Sequence, residues 1–460
     1  MSTSLPRIST TLQADLQLAG VGISRGDWLF YFPQPPKGVT LLPIPLNGNC
    51  SVKKNQAVAK SPLTMLSVFT GAGGLDLGLE AAGFRSIGHI ELCPKCRESL
   101  ALNRPEWKEL DWTDIHLASK EATPKRLGIK KGELDLLAGA PPCQPFSTAA
   151  QWSGKARLGL SDTRAKTLGA FLNLAEKFLP STILIENVPT FWNPNFGAQE
   201  VIKQFFSGLR ERTGISYRFD SKVLNAADFG VPQQRRRFIL VAHRTDKVWT
   251  WPTARYSENP RTVWDALHSV TSKDLPKPKG KWAELLPSIP KGCNYQWHSS
   301  VGEGLEIFGP RTRFWSFLLK LSPDLPSWTL AAQPGPSTGP FHWDNRPLSL
   351  EESLALQTFP QGWKLAGNYR DGVKMIGNAT PPLLGEHLGR QIVRTLFEGQ
   401  LPSNIKFAPK KARSVPNIPS PEKVPKKYLN LVSEHKPHPG TGLGPKPRLA
   451  NVHQASTLAT

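Results

Sequence analysis

The chain reads as an α/β protein with a mostly parallel sheet, joined to a smaller and irregular second domain. Three features predict this. Short apolar runs alternate with helix-patterned segments from Thr64 to about residue 250, a glycine cluster joins the first such strand to the first such helix, and the alternation stops between 251 and 345. Strands separated by helices need crossover connections, and crossovers make parallel neighbours.

TMLSVF (64–69) is the first predicted strand, and TGAGG the turn that follows it. LDLGLEAAGF is a helix ending at Gly83, and SIGHIE is a second strand closing on Glu91. PKCRESLALNR reads as a helix, ELDLLAG (133–139) as a buried strand, and RAKTLGAFLNLAEKFLP as an amphipathic helix stopped by Pro180. TILIEN (182–187) and FILVAH (238–243) are two more strands. Residues 1–63 form an extension without an assigned function, and 64–250 the first part of the main domain. Residues 251–345, rich in Pro, Trp, Lys and Arg, are the second domain. Helices return over 346–400 in LSLEESLALQTF and MIGNATPPLLGEHLGRQIVRTLF, and the Pro/Lys-rich stretch 401–460 is predicted to be disordered.

Composition narrows the function classes. A length of 460 residues allows two to four domains, and 43 prolines, nearly twice the usual share, call for many loops. No run approaches the roughly 18 apolar residues of a membrane span. The start MSTSLPRIST lacks the charged-then-apolar pattern of a secretory signal, which predicts a cytoplasmic, nucleoid-associated protein. Five sparse cysteines exclude a disulfide scaffold. Fifty-seven basic against 36 acidic residues leave a net charge of +21, which points to a polyanionic partner. Tryptophans interleaved with basic residues in 251–345 suit nucleic-acid contact by stacking or wedging, and equally suit packing of a loop-rich domain.

Four local patterns carry the chemistry. Phe69-Thr70-Gly71-Ala72-Gly73-Gly74 lets the backbone turn sharply and approach a ligand. Asp76 stands where a dinucleotide fingerprint needs its third glycine, and no phosphate-loop lysine is present, so dinucleotides and triphosphates are disfavoured. Glu91, twenty positions after Gly71, is placed to accept both ribose hydroxyls of an adenosine ligand, and Asp114 to meet the adenine edge. In Gly139-Ala140-Pro141-Pro142-Cys143-Gln144-Pro145-Phe146-Ser147, three prolines stiffen a loop that holds a cysteine at a strand's carboxyl end, where a thiolate can act as nucleophile. Glu186 ends the TILIEN strand and faces the same crevice as a proton donor or acceptor. In Gln233-Gln234-Arg235-Arg236-Arg237, an extended backbone sends Arg235 and Arg237 to one side, where paired guanidiniums suit a phosphate or a base carbonyl. The pair Cys93 and Cys96 lacks a second pair for zinc, no metal site is expected, and both read as ordinary helix-start residues.

These patterns, in this order, resemble the DNA (cytosine-5) methyltransferase family of the prokaryotic restriction–modification type, over Met65 to about Ile392. FTGAGGLDLG looks like the family's first motif, GAPPCQPFS its catalytic loop, ENV its acid motif and QQRRR its paired-arginine motif. RPLSLEESLALQTFP and GNATPP look like its last two, with GNAT standing where GNAV or GNSV is common. The resemblance implies a Rossmann-like S-adenosylmethionine-dependent domain, with 251–345 as target recognition domain and 346–400 returning to pack beside the first strand. It implies transfer of a methyl group from S-adenosylmethionine to carbon 5 of a flipped-out cytosine, through a transient bond from Cys143 to carbon 6.

Glu186 would act at N3, and Arg235 and Arg237 would hold the base, the phosphate and the Cys/Glu geometry. Gly71, Gly73, Gly74 and Leu75 would contact the cofactor, Phe69 and Pro142 would line the methyl-donor pocket, and Asn378 would brace that pocket or the recognition domain. Gln144, Ser147 and Gln233 would meet the substrate, double-stranded DNA. A monomer, with a separately acting restriction endonuclease, fits the resemblance. Methylation of tRNA by a related branch is the main alternative, but that branch's Cys-Phe-Thr tripeptide is missing from 251–345, where Cys293 is the one cysteine. A silent DNA-binding protein would be expected to have lost the cysteine or the acid, and an NAD-type oxidoreductase is disfavoured by Asp76.

Overall fold

A computed structural model describes residues 62–142, 165–309 and 314–432, all within one compact unit, Ser61–Thr460. The expectations for 1–61, for Cys143, Gln144 and Ser147, and for 433–460 lie outside the described residues.

The main sheet is built from β1 (Leu63–Val68), β2 (Phe84–Ile90), β3 (Leu136–Gly139), β4 (Thr182–Asn187), β5 (Arg218–Asn225) and β7 (Arg236–His243), with the two-residue β6 (Gln233–Gln234) just before β7. Its order is β2-β1-β3-β4-β7-β5. β1 pairs parallel with β2 and β3, and β3 with β4, as the alternating pattern predicts. The last two pairings are antiparallel, β4 with β7 and β7 with β5. The cause is the short connection after β5. Residues 226–235 make one 3-10 turn and no crossover helix, so β7 must reverse direction. β5 itself escapes a hydrophobic reading because RFDSKVLN alternates exposed and half-buried side chains, as an edge strand does. No third strand precedes Asp114; Glu109 makes only a single bridge to His89.

Strand alternation feeds two cores, one on each face. Met65, Leu136, Leu184 and Val241 face α1 (Gly74–Ala81) and α9 (Pro382–Leu396). Leu66, Val68, Ile183, Ile185 and Leu240 face α3 (Ile115–Glu121), α4 (Ala165–Phe178) and α5 (Ala198–Thr213). α2 (Pro94–Asn103) flanks the edge after β2. The return segment therefore packs on the first helix and over the face of the sheet that holds Met65. The two helices meet backbone to backbone: a Cβ on Gly78 would collide with the main chain of Pro382, Gly385 and Glu386.

Packing across the composition shift at 251 is continuous with the main core: Trp249 and Trp251 pack on it, and α6 (Val263–Leu267) buries Val263, Ala266 and Leu267 in it. A separate small core follows, formed by Leu285, Leu286, Ile289, Tyr295, Ile307, Phe308, Leu318 and Phe341. Its elements are short 3-10 turns and two-residue strands, including β8 (Ser327–Trp328), which pairs with β6. With few ladders to satisfy its carbonyls, the buried Lys320 donates to Leu286 O, Ile289 O and Asn345 Oδ1, and burial lowers that amine to about 8. α7 (Leu350–Leu356) and α8 (Tyr369–Asn378) then lead back to α9.

The segment after α9 corrects the expectation of disorder from 401. Residues 401–432 are packed, with Phe407 and Tyr428 buried. Its low hydrophobicity hides the fact that it borrows cores built by other segments.

The α1–α9 contact gives a direct test. Gly78→Ala should destabilise the protein by about 1–3 kcal/mol, although alanine is the better helix former, because it overpacks a backbone contact. Urea denaturation measures this; an unchanged or raised midpoint would refute the close packing.

Candidate active site

β1, β3 and β4 run parallel, so their carboxyl ends open on one edge of the sheet, where open α/β folds hold ligands. β1 leaves the sheet through a left-handed turn, with φ of 58° at Phe69, 57° at Gly71 and 83° at Gly73, the N-cap of α1. Such a backbone costs a non-glycine residue on the order of 1–3 kcal/mol, and strain of this kind gathers at ligand sites. Phe69 is held in it by its N–H donating to Ile90 O at 2.9 Å.

Glu91 folds back over this turn. Its Oε2 accepts from Gly71 N–H and its Oε1 from Cys93 N–H, both at 2.7 Å. Each oxygen has room for one more donor, so a ribose with two free hydroxyls matches this acid. Among the described residues, a side chain on Gly71 would meet nothing but Phe69 O, at 3.9 Å, so none of them fills the space beside the turn. Half-buried Phe69 and exposed Pro142 lie at the same edge. The donor set fits the adenosyl part of a cofactor.

Other expected cofactor residues serve the scaffold with their side chains. Leu75 is buried in the core, and Gly74 lies tight under Thr380, so both present backbone only. Asp114 is the N-cap of α3, its Oδ1 accepting from His116 N–H at 2.8 Å. Asn378 is exposed at the end of α8.

Glu186 is buried at the end of β4. Antiparallel pairing sets Glu186 opposite Ile239 and Asn187 opposite Phe238, which brings the start of β7 beside it. Arg237 Nε lies 2.9 Å from Glu186 Oε1, with both side chains nearly closed to solvent. The N–H is not aimed along a hydrogen-bond direction, since that oxygen has no hydrogen-bond partner, so the contact is one of charge. Asn187, one residue on, donates from Nδ2 to Pro141 O at 2.9 Å. This buried bond fixes the entrance of the loop that carries Cys143.

The two arginines part company. Arg235 is fully buried, and its guanidinium donates to Gly377 O at 2.9 Å and Ala379 O at 2.7 Å, holding the carbonyl end of α8. These bonds make it a positioning residue for that helix end. Gln233, expected at the substrate, is also fully buried: its Oε1 accepts from Leu330 N–H and its Nε2 reaches Leu356 O. Residues 233 and 235 are both fully buried, and their side chains hold backbone groups of the segments packed against them.

Two contributors escaped the sequence reading. Asn187 was legible only as a polar residue closing an apolar strand. Asp76 was read as a missing glycine, yet it is buried in the first turn of α1, near Ser67, whose hydroxyl is 3.0 Å from that of Thr70. Burial raises its carboxyl to about 7, against the pull of Ser67 and its own N–H, while Glu91 and Glu80 add to the rise.

The chain is similar to known proteins. The family model described as C-5 cytosine-specific DNA methylase matches residues 63–394. Type II methyltransferase M.SacI of Streptomyces achromogenes is 32% identical over 73% of this chain and 93% of its own. Type II methyltransferase M.Eco47II of Escherichia coli is also 32% identical, over 74% of this chain and 81% of its own. Among solved structures, a prophage-encoded DNA modification methyltransferase of E. coli superposes with a TM-score of 0.52 at 20% identity, over 73% of this chain and all of that one. The S. pombe Dnmt2 methyltransferase follows at 0.50 and 15%, over 72% and 98%; both likenesses speak to the fold.

The Asp76 cluster has a pH signature. A folded value near 7 above an unfolded value near 4 makes the folded state hold its proton longer, so this group costs stability as pH rises from about 4 to about 7. Asp76→Asn keeps the neutral form and should remove that decline, a gain on the order of a few kcal/mol at pH 8. Denaturation midpoints of parent and variant over pH 5–8 should diverge; parallel curves would refute it.

Proposed function

The chain belongs to the C-5 cytosine-specific DNA methylase family, and we propose that it works there as a sequence-specific modification enzyme of the type II class, using Cys143 as nucleophile and S-adenosylmethionine as methyl donor. It is a DNA cytosine-5 methyltransferase. The observation that carries the mechanistic reading is the enclosed Glu186–Arg237 pair beside the tethered entrance of the Cys143 loop.

Carbon 5 of cytosine is a weak nucleophile within an aromatic ring. Addition of the Cys143 sulfur to carbon 6 breaks the aromaticity and gives carbon 5 enamine character. Glu186 holds a proton at N3, which draws electrons from carbon 6 and favours that addition. Arg237 keeps the Glu186 side chain in place and offers N–H donors toward the base carbonyl. Glu91 accepts the ribose hydroxyls, and the Phe69–Gly73 backbone cradles the donor. When bound, S-adenosylmethionine supplies an electrophilic methyl on its sulfonium. Loss of the carbon-5 proton then expels the Cys143 thiolate and restores the ring. The cytosine must leave the duplex, which costs a few kcal/mol of pairing and stacking; Gln144 and Ser147 would meet the opened site.

Recognition falls to the small domain. Trp315 and Trp328 are about half exposed and pack edge to face at 5.2 Å. β8 places Trp328 beside Gln234, three residues before Arg237. An exposed aromatic pair next to the active strand of a strongly basic chain suits stacking on, or wedging between, bases. A cognate restriction endonuclease acting separately, a monomeric state and a cytoplasmic location complete this reading. Among the described residues no helix is long and apolar enough to cross a membrane.

Labelled S-adenosylmethionine with duplex DNA should give methylated DNA, and Cys143→Ser should abolish it. Label in tRNA alone would overturn the DNA assignment. DNA carrying 5-fluorocytosine should trap a denaturation-resistant complex, since fluorine cannot leave as a proton does; a complex that survives Cys143→Ala would exclude that sulfur. Replacing Trp315 and Trp328 by Ala should raise the KM for DNA by roughly tenfold, the worth of about 1–3 kcal/mol of stacking, with methyl-donor binding unchanged by calorimetry. An unaltered KM would remove the pair from the interface.

A further inference from the structure

The family match ends at residue 394, yet the packed chain continues to 432 and crosses from one core to the other. It starts on the catalytic core. The fully buried carboxylate of Glu386, on α9, accepts from Lys406 N–H at 2.8 and 2.9 Å and from Phe407 N–H at 3.1 Å, and Phe407 joins that core. It next crosses α6, where Ala412 N–H donates to Asp265 Oδ1 at 2.8 Å and Ser414 O accepts from the Trp264 indole at 2.5 Å. It ends in the small domain. Glu422 N–H donates to Pro287 O at 2.9 Å. Tyr428 enters that domain's core, stacks on Trp282 with centroids 5.6 Å apart, and donates its hydroxyl to Lys281 O at 2.6 Å. Lys427 pairs with Glu284 beside it.

We propose that residues 401–432 are a strap that fixes the recognition domain on the catalytic core, with Tyr428 as the positioning residue that sets DNA affinity and site discrimination. The small core has short, irregular elements; the two-residue β6–β8 ladder and Gln233 hold its Ser327–Leu330 edge, and the strap holds its Lys281–Pro287 edge. A large aromatic side chain, delivered by a segment anchored at Glu386, supplies core volume and ties it to the other domain. Prolines at 409, 416, 419, 421 and 425 stiffen the span between the anchors. If only a fraction of molecules hold the reading orientation, apparent DNA affinity falls by that fraction, while chemistry on correctly bound DNA does not. The proposal rests on the reading of this chain as a sequence-specific DNA methyltransferase.

The test uses the full chain with Tyr428→Ala, the same chain stopped after Val415, which keeps the Glu386 and Trp264 anchors, and Tyr428→Phe, which keeps the stack. Hydrogen exchange is read first. Amides of 283–308 should exchange at least about tenfold faster in the first two variants, while α1 and α9 keep their protection and calorimetry shows unchanged S-adenosylmethionine binding. On duplexes carrying the sites that bisulfite sequencing assigns to the parent enzyme, KM for DNA should rise about tenfold with kcat nearly unchanged, and single-base variants of those sites should be discriminated less well. Tyr428→Phe should stay close to the parent. Unchanged exchange in 283–308, or an unchanged KM, overturns the proposal. So does loss of protection in α9, which would make 401–432 part of one common core rather than a positioning strap. If exchange shifts as expected but the parent methylates no DNA, the strap stands and the functional reading falls.

Discussion

Antiparallel pairing of β4 with β7 puts the head of one strand against the tail of the other. In a sheet of purely parallel strands, the start of β7 would lie at the far edge from the end of β4, and Arg237 could not reach Glu186. The reversal follows from the short link after β5, which leaves no room for a crossover helix. The buried acid therefore has a cation beside it without a dedicated loop to bring one. Taking either charge away would strand the other inside protein, at a cost of about 3–5 kcal/mol, so the register and the ion pair support each other.

The inward face of the same short stretch organises the rest. Gln233 and Arg235 point into the molecule and hold Leu330, Leu356, Gly377 and Ala379 by their backbones. The run Gln233–Arg237 thus has two tasks: Gln233 and Arg235 clamp the small domain and the return segment, and Arg237 serves the acid. The return segment, held there and at the α1–α9 glycine contact, caps the helix that starts at the cofactor turn. Buried Asp76 and Ser67 tie that turn to the end of β1.

Much of this could be read from residues alone. Strands with continuous apolar runs, such as TILIEN, gave both their position and the placement of Glu186, because a buried strand leaves no doubt about where its polar end emerges. Glu91 was equally legible from its distance to the glycine turn. What escaped depended on partners far along the chain. Arg235 and Arg237 look equivalent in an extended segment, and only the return segment, more than 130 residues later, decides that one is buried under carbonyls. Asp114 also caps a helix, a role its place in the sequence does not announce. The Pro/Lys-rich stretch after 401 has too little hydrophobicity to fold alone, and its order comes from Glu386 and Trp282, on surfaces made by other segments.

The bond from Asn187 to Pro141 makes the acid and the cysteine share a mooring. Cys143 follows Pro141 by two residues, a leash of about 7 Å at full extension, and the moored point sits one residue from Glu186. Covalent connection alone keeps position 143 within a short radius of a pivot belonging to the acid's own strand. One amide and covalent reach thus bound how far the proposed nucleophile can lie from the acid's strand.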